Sequence, residues 1–548
     1  MRKIFCMLLL ATLAALSCTT DQGQRPSTSL DKRPNILLIV ADDLGYTDIG
    51  AFGSEIPTPN LDALARAGIR FTNFHTASWC QPTRVMMMTG NGGAGMVEEL
   101  PRLPEGERNN RLYLEWATLP ELLRDAGYQT FMTGKWDLGL EGEYRASERG
   151  FDRSFALLTG GTSHFAESFW RDDDTTYYED DGRRLSLDQL PADFYSTEYY
   201  TSQMLEYIWT NYSDQPWFAY VAYTAPHWPL QVPEDWLDRH AGRYAEGYDQ
   251  LRERRMSKAS ELGVIPEGAL PDQFDPVAPA WSDLSTDLKW KFARAEEIYA
   301  SMVEYMDTQI GRIVSYLESS GELDNTVIVF MGDHGASAGE HGIGVARFPI
   351  ENRMDNRLEN FGRTNSFIDK GIGFAEAGSA PFRYYKGSAF EGGLRAAAFI
   401  RYPGLAGTGG TNSTLVSAMD LLPTFLEIAG RAHPGASVFN GREIRDIRGE
   451  SIWNELKTGT ASDRSDYEIG FIRGAGGALI RGQYKVINQP PPDPAADSST
   501  GVGGTTEWLL YDIVSDPSET RDLAAVHPAL VDSMVDAWTL GWRSPRTD

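Results

Sequence analysis

The sequence is poor in cysteine and in positive charge, and each shortage excludes a class of protein. Only three of its 548 residues are cysteine, and two of them, Cys6 and Cys18, lie near the amino terminus. A disulfide framework is therefore excluded, and Cys80 needs another explanation. Lysine and arginine number 50 against 77 aspartates and glutamates, a formal charge of −27. A chain with this charge repels nucleic acid and anionic membranes, so no nucleic-acid partner is expected.

The amino terminus has the pattern of an export signal. Two basic residues precede an apolar run, Ile4–Leu16, which is too short to span a bilayer comfortably. The residues that follow, up to Cys18, resemble the lipobox of a bacterial lipoprotein. We therefore expect a signal peptide and lipobox at 1–18, a lipid anchor on Cys18 and a polar tether at 19–33. The predicted location is an exported, periplasmic or outer-membrane lipoprotein, with ordinary secretion as the alternative.

From Pro34 onward, apolar runs alternate with segments of helical spacing. A continuous apolar run, typical of a strand buried on both faces of a parallel sheet, occurs at 35–41, and further strands are predicted at 128–133, 218–223 and 326–331. Segments with helical spacing occur at 61–68, 119–127 and 293–317. The alternation predicts an α/β fold in which helices sandwich a large, mostly parallel mixed sheet.

The pattern changes after about residue 440. Short strands predicted at 470–473, 478–481 and 484–487 precede a helix at 528–540. We therefore expect a catalytic domain at 34–440 and a smaller α+β domain at 441–548. Residues 239–280 are charged and irregular, and we interpret them as an insertion on the surface.

Polar residues follow the predicted strands directly. Asp42, Asp43, Lys135, His227 and Asp333 all lie just beyond the carboxyl end of a predicted strand. Ligands of open α/β sheets bind outside these ends, so the five residues are expected to share one site.

The segment Cys80–Arg84 has the sequence pattern of a helix that begins with a reactive residue. Pro82 favours the first turn of a helix, which places Cys80 at its amino terminus, where backbone amides favour an anion. Arg84 falls on the same face one turn later. A lone cysteine is more often a small buried apolar residue, so the surrounding motifs decide between the two interpretations.

The same five residues match Cys-x-Pro-Ser/Thr-Arg, the pattern that sulfatase-maturing enzymes recognise before they convert the cysteine to formylglycine. An aldehyde at position 80 would hydrate to a geminal diol. One hydroxyl would attack sulfur, and the other would later expel sulfate as the aldehyde reforms. An unmodified thiol cannot perform that second step.

Three carboxylates form the second candidate constellation. An acidic pair such as Asp42 and Asp43 often caps a turn, but Asp333 ends a second buried strand at the same sheet edge. Three carboxylates there would repel one another without a cation, and oxygen ligands favour Ca²⁺, with Mg²⁺ as the alternative. Such a cation would polarise a sulfate oxygen. The neighbouring His334 is either a further ligand or a supporting residue.

Four basic residues complete the set: Arg84, Lys135, His227 and Lys386. Taken singly, a lysine is usually a solvated surface charge, and a histidine often has a structural role. An acidic protein must nevertheless concentrate positive charge wherever it binds an anion. His227 could also protonate a leaving alcohol.

Together these motifs resemble the type I sulfatases of the alkaline phosphatase superfamily, particularly bacterial arylsulfatases, from Pro34 to about residue 525. Matching segments also occur at 34–45, 58–62 and 321–326. The resemblance implies an alkaline phosphatase-like fold and a formylglycine-generating maturation enzyme. It implies a Ca²⁺ held by Asp42, Asp43, position 80, Asp333 and His334. It also implies that Arg84, Lys135, His227 and Lys386 handle the sulfate of a small-molecule or glycan ester.

Asp137 departs from the family pattern Gly-Lys-Trp-His-Leu-Gly, whose histidine bonds the diol and serves as the base for sulfate elimination. In a strand, Lys135 and Asp137 would point to the same side. A carboxylate there would repel the substrate by about 4 kcal/mol at roughly 4 Å, for an effective dielectric constant of about 20. Asp137 therefore pairs with Lys135, is protonated or slows the reaction. At position 334, the family often has asparagine, although histidine also occurs.

Two alternative functions stay open beside sulfate ester hydrolysis by an aryl or carbohydrate sulfatase. One is a phosphate or phosphonate ester hydrolase on the same scaffold, because a fold does not fix its reaction. The other is a catalytically weakened lipoprotein that binds sulfated glycans, which Asp137 motivates. The segments 161–195 and 340–380 are the candidates for selecting the substrate. Ring contacts by Trp79, Trp170 and Trp228 are weaker candidates than simple packing.

Overall fold

The computed structural model describes most of the chain from Arg33 onward. The described residues are 33–98, 110–167, 175–211, 215–265, 270, 276–344, 353–492, 504–505 and 507–543. The predicted signal peptide and lipobox, the tether up to residue 32, and Trp170 lie outside these ranges.

The strands, numbered along the chain, are β1 (Asn35–Ala41), β2 (Ile69–Phe71), β3 (Phe74–His75), β4 (Val97–Glu98), β5 (Arg111–Leu112), β6 (Gln129–Lys135), β7 (Arg153–Leu157), β8 (Thr175–Asp180), β9 (Arg183–Ser186), β10 (Trp217–Ala222), β11 (Thr326–Gly332), β12 (Ala398–Arg401), β13 (Thr411–Asn412), β14 (Val416–Ser417), β15 (Ser437–Phe439), β16 (Arg442–Ile444), β17 (Glu468–Arg473), β18 (Gly476–Arg481), β19 (Tyr484–Ile487) and β20 (Leu509–Asp512).

The α-helices are α1 (Pro59–Arg66), α2 (Cys80–Thr89), α3 (Leu119–Asp125), α4 (Ser196–Thr210), α5 (Tyr248–Glu261), α6 (Thr286–Ser320), α7 (Gly371–Ser379), α8 (Glu391–Leu394), α9 (Leu421–Ile428), α10 (Trp453–Thr458) and α11 (Pro528–Ala537).

A ten-stranded sheet forms the centre of the molecule, in the order β13-β2-β12-β11-β1-β10-β6-β7-β8-β9. Its five central strands, β11, β1, β10, β6 and β7, run parallel. Strand β12 on one side and β8 on the other pair antiparallel with them. Every residue of β1 and β11 is buried, as their continuous apolar runs predict. The predicted mostly parallel, mixed sheet is confirmed.

Helices cover this sheet. Helix α4 packs on β6 and β10 and against the long helix α6. Helix α3 packs on β6 and contacts α2 and α9. Within the part of the chain that the structure describes, none of the helices has both the length and the apolar character needed to cross a membrane.

The carboxy-terminal region forms a separate four-stranded antiparallel sheet, β17-β18-β19-β20, on which α11 packs. This agrees with the smaller α+β unit expected from the sequence. The boundary at residue 440 stays a prediction.

The interpretation of 239–280 as an irregular surface insertion was wrong in its central part. Residues Tyr248–Glu261 form helix α5, which packs against α7. Arg255 on this helix is buried and bonds Asp48 and Glu55. A helix that buries its charged residues against distant carboxylates has no apolar stripe, so its sequence resembles a solvated loop.

Candidate active site

Cys80 is the first residue of α2 and is buried. The preceding residue, Trp79, has extended backbone angles and makes no side-chain cap hydrogen bond to the start of α2. The Cys80 Sγ lies 3.4 Å from Asp42 Oδ1 and 3.1 Å from His334 Nε2. Burial alone would raise the pKa of the Cys80 thiol, but Lys135, Lys386 and His334 lower it well below its usual value.

The sheet register brings the carboxylates together. Strands β1 and β11 pair with Ala41 opposite Gly332, so Asp42 and Asp333 leave the sheet side by side. The backbone N–H of Asp43 donates to Asp333 Oδ1 at 3.2 Å. Asp43 has a φ of 64°, a left-handed conformation that aspartate tolerates better than most residues and that turns the chain back towards β11.

His334 points into the middle of this group. Its Nδ1 donates to the Gly335 carbonyl at 2.9 Å, so Nε2 faces the carboxylates. Nε2 lies 3.4 Å from Asp43 Oδ1 and 3.3 Å from Asp333 Oδ1. A histidine fixed through one ring nitrogen presents the other as a ligand, so this geometry favours a ligand over a remote supporting role.

These donors fit a divalent cation. One set, with ligand atoms within 4.8 Å of one another, comprises Asp42, Cys80, Asp333 and His334, and a second comprises Asp42, Asp43, Cys80 and His227. Asp43 Oδ2 is buried and makes no hydrogen bond within the protein, although His227 Nε2 lies 3.5 Å away. Such an oxygen fits a ligand that the side chains themselves do not supply. Three carboxylates suit a hard cation such as Ca²⁺.

Besides His227, three cationic side chains contact the carboxylates. Arg84 Nη2 lies 3.4 Å from Asp42 Oδ2 and 3.3 Å from Asp333 Oδ2, one helical turn beyond Cys80. Lys135 Nζ, from the end of β6, contacts Asp42 Oδ2, and Lys386 Nζ contacts Asp43 Oδ1. The sequence-based grouping of these residues therefore corresponds to one site at the carboxyl edge of the sheet.

Burial and neighbouring charges shift the pKa values of this site. Burial, aided by Asp42, raises the pKa of Asp333 to about 7. For His334 and His227, burial opposes the charged form. Asp333 nevertheless raises the pKa of His334 to about 9, and Asp43 raises that of His227. Opposite charges are thus held together within a buried site.

Asp137 does not continue strand β6, which ends at Lys135. Its φ of 56° is left-handed, so the expectation that Lys135 and Asp137 share a strand face was wrong. The Asp137 carbonyl accepts from Gln81 Nε2 at 3.0 Å, and Asn110 Nδ2 donates to Gln81 Oε1 at 2.9 Å. Asp137 also contributes to raising the pKa of Lys135, so the two residues interact electrostatically.

Several supporting residues were missed from the sequence. His164 Nε2 donates to the His227 carbonyl at 2.9 Å, and its Nδ1 lies 2.8 Å from Ser196 Oγ. Tyr220, inside β10, accepts from Arg84 Nη1 through its hydroxyl at 2.9 Å. No motif marks these residues. The one available signal is the position of Tyr220 on a strand that ends at the site.

Two of the three candidate aromatic residues lie beside the site. Trp79 lies under two cations, with Lys386 Nζ 5.3 Å and the Arg473 guanidinium 4.7 Å from its ring centre. The ring of Trp228 lies 4.6 Å from that of His227 and 4.8 Å from that of His341. Both rings are therefore engaged by neighbouring protein groups.

Fold and site together define a class of protein. A large mixed sheet sandwiched by helices carries buried carboxylates, a cysteine at a helix start and clustered cations at its carboxyl edge, as in hydrolases of the alkaline phosphatase type.

Comparison with known proteins narrows this class. Residues 34–431 match the family model named Sulfatase. The chain is 40% identical to an uncharacterized sulfatase of Schizosaccharomyces pombe, over 92% of this chain and 93% of that protein. It is 36% identical to an arylsulfatase of Klebsiella aerogenes, over 77% and 91%. The crystal structure of Ps i-CgsB has a similar fold, with a TM-score of 0.65, 24% identity and 94% of each chain covered.

The chain belongs to the sulfatase family, as a type I sulfatase of the alkaline phosphatase superfamily. It is a sulfuric ester hydrolase. The resemblance seen in the sequence is thereby confirmed.

Proposed function

We propose that this protein hydrolyses aryl or carbohydrate sulfate monoesters with a formylglycine made from Cys80 and a bound Ca²⁺, with Mg²⁺ as the alternative. The observation that carries the proposal is the convergence of Arg84, Lys135, His227 and Lys386 on Cys80 and the carboxylates. A maturation enzyme that recognises the segment Cys80–Arg84 would form the aldehyde. The proposed metal ligands are Asp42, Asp43, position 80, Asp333 and His334.

When present, the formylglycine would supply the attacking hydroxyl and the cation would polarise the sulfate. The protein's own residues hold the anion in place. The ammonium groups of Lys135 and Lys386 contact Asp42 and Asp43, and in the proposed reaction they turn from these carboxylates to sulfate oxygens. His227 Nδ1 donates to the Trp228 carbonyl at 2.6 Å, which directs Nε2 into the site to protonate the leaving alcohol.

The named relatives support an ester of an aryl or sugar alcohol. One is an arylsulfatase. Another relative, 25% identical over 94% of this chain, is the N-acetylglucosamine-6-O-sulfatase of Bacteroides thetaiotaomicron. The Ps i-CgsB structure also exists in complex with k-i-k-neocarrahexaose. We therefore propose a small aryl sulfate or a sulfated glycan as substrate.

The reaction is tested by comparing nitrophenyl sulfate with nitrophenyl phosphate and a phenyl phosphonate ester on the matured, calcium-loaded protein. We expect kcat/KM for the sulfate to exceed both others by at least about 100-fold, because the family model and the named arylsulfatase relative point to sulfate esters. The phosphate dianion would also add a second negative charge beside the carboxylates of the site. Faster turnover of either phosphorus ester would instead establish the alternative hydrolase.

We predict that Asp137→His keeps or raises kcat/KM for nitrophenyl sulfate, by up to about 10-fold. The change removes a negative charge beside the anionic substrate, and histidine, like aspartate, tolerates the left-handed backbone of this position. Asp137→Asn is the matched control, because it removes the charge without supplying a base. A measurable wild-type rate that is abolished in Asp137→His would show that this carboxylate is an adapted catalytic group. It would also exclude the weakened glycan binder.

A further inference from the structure

The segment that carries Lys386 lies between the two halves of the site. The Lys386 N–H donates to the Ala336 carbonyl at 3.0 Å, just beyond Asp333 and His334 in the chain. The Gly387 N–H donates to the Ser78 carbonyl at 2.8 Å, two residues before Cys80. Gly387 has a φ of 88°, which favours glycine. These backbone bonds set where the Lys386 side chain begins.

A side chain just beyond the carboxy-terminal sheet makes two further hydrogen bonds to this segment. Gln489 follows strand β19 and is only 2% exposed. Its Oε1 accepts from the Ala389 N–H at 2.7 Å, and its Nε2 donates to the Gly387 carbonyl at 3.3 Å. A single amide therefore bonds both the residue directly after Lys386 and the one three positions beyond it.

A buried ionic cluster fixes the same sheet against the same segment. Lys485, on β19, places its Nζ 2.9 Å from Glu391 Oε1 and 2.6 Å from Glu519 Oε1. Glu391, the first residue of α8, also bonds Arg395 Nε through Oε2 at 2.7 Å. These ion pairs hold strand β19 against α8, and this fixes the position of the Gln489 amide, which follows β19.

A second strand of that sheet reaches the same place. Arg473, at the end of β17, stacks on Trp79, the residue before Cys80. A Cβ at Gly387 would lie 2.8 Å from Arg473 Nη1, so the sheet lies directly against the Lys386 segment.

We infer that Gln489 is a positioning residue for Lys386. Through Gln489, the carboxy-terminal sheet contributes to sulfate binding. The inference rests on the proposed function, in which Lys386 binds a sulfate oxygen. Lysine has a long flexible stem, so its ammonium is preorganised only when its backbone is held. Gln489 supplies that restraint from outside the catalytic sheet.

The test is a double-mutant cycle between Gln489→Met and Lys386→Met in the matured, calcium-loaded protein. Its readouts are KM for nitrophenyl sulfate and the dissociation constant of inorganic sulfate by calorimetry. We expect Gln489→Met alone to raise both by about 10-fold, and to change them by less than about 2-fold once Lys386 is absent. An equal effect in both backgrounds, or no effect in either, would overturn the inference.

Two further variants separate positioning from folding. Asn488→Ala removes a neighbouring bond, from the Gly477 N–H at 2.8 Å, that does not reach the Lys386 segment. It should lower the melting temperature while leaving both constants within about 2-fold of wild type. Gln489→Glu keeps the acceptor for Ala389 and loses the donor to Gly387, so it tests the same point if the methionine variant does not fold. Loss of sulfate affinity in Asn488→Ala as well would contradict the inference.

The two proposals fail differently. If Lys386→Met leaves sulfate binding unchanged, Lys386 does not hold sulfate and the proposed site is wrong. If only Gln489→Met leaves it unchanged, the site stands and the positioning role is refuted.

Discussion

Replacement of Cys80 by alanine is expected to lower kcat/KM for nitrophenyl sulfate by at least about 10⁴-fold, because the proposed reaction forms its covalent intermediate at this residue. Cys80 is the one cysteine outside the amino-terminal segment, and it lies at the start of α2 among four cations. The measurement is steady-state hydrolysis by purified wild type and variant, at matched calcium.

The effect is expected to be large because position 80 takes part in two different steps of the proposed reaction. It attacks sulfur, and it must afterwards release sulfate without a second nucleophile. A Cys80→Ser variant that stays unconverted can attack but cannot reform an aldehyde. We expect it to release at most about one equivalent of alcohol per protein molecule. Both variants should unfold near the wild-type temperature. A Cys80→Ala protein with more than about a tenth of wild-type turnover would exclude covalent catalysis at this position.

Removal of divalent cations should lower kcat/KM by about 10³-fold or more, and added Ca²⁺ should restore it. The carboxylates of Asp42, Asp43 and Asp333 meet beside Cys80, where a cation would offset their mutual repulsion. Binding also stabilises the folded state, so Ca²⁺ at about 100 times its dissociation constant should add about 2.7 kcal/mol to the free energy of unfolding. Thermal unfolding with and without chelator therefore gives a readout independent of activity.

Variants locate the cation. Asp333→Asn should raise the Ca²⁺ concentration that gives half-maximal activity by at least about 100-fold. The matched control is Asp307→Asn, another buried aspartate, whose carboxylate bonds the amides of Asn60 and Leu61 at the start of α1. The control should lower stability and leave the calcium midpoint unchanged. Full activity in protein shown by elemental analysis to hold no divalent metal would contradict the proposed site.

The fold and the outline of the site could be predicted because they depend on local patterns. Continuous apolar runs mark strands buried on both faces, and parallel strands bring their carboxyl ends to one edge. Residues at or just beyond the ends of those strands, such as Asp42, Lys135 and Asp333, were therefore expected to meet, and they do. Pro82 likewise indicated that α2 begins at Cys80, as it does.

The remainder could not be predicted because it depends on contacts between distant parts of the chain. Arg255 is buried where Asp48 and Glu55, about 200 residues earlier, accept its hydrogen bonds. Gln489 bonds residues about 100 positions earlier. Asp137 has a left-handed backbone, and its carbonyl accepts a hydrogen bond from Gln81, 56 positions earlier. A sequence pattern contains neither the partner nor the resulting burial.

The charge distribution explains how an acidic protein can act on an anionic ester. The chain carries a formal charge of −27, yet Arg84, Lys135, His227 and Lys386 all converge within one buried site. Their pairing with carboxylates at the same place keeps them charged and low in solvent exposure. Local positive charge is thus available at the point of reaction in a chain whose overall charge is strongly negative.

The most direct test of the account is the mass of the proteolytic peptide that contains position 80, taken from a purified preparation that hydrolyses nitrophenyl sulfate. Formylglycine makes that peptide about 18 Da lighter than the cysteine form and open to capture by a hydrazine reagent. We predict that the converted fraction rises in proportion to specific activity across preparations. A fully active preparation in which position 80 is entirely an unmodified thiol would contradict the account.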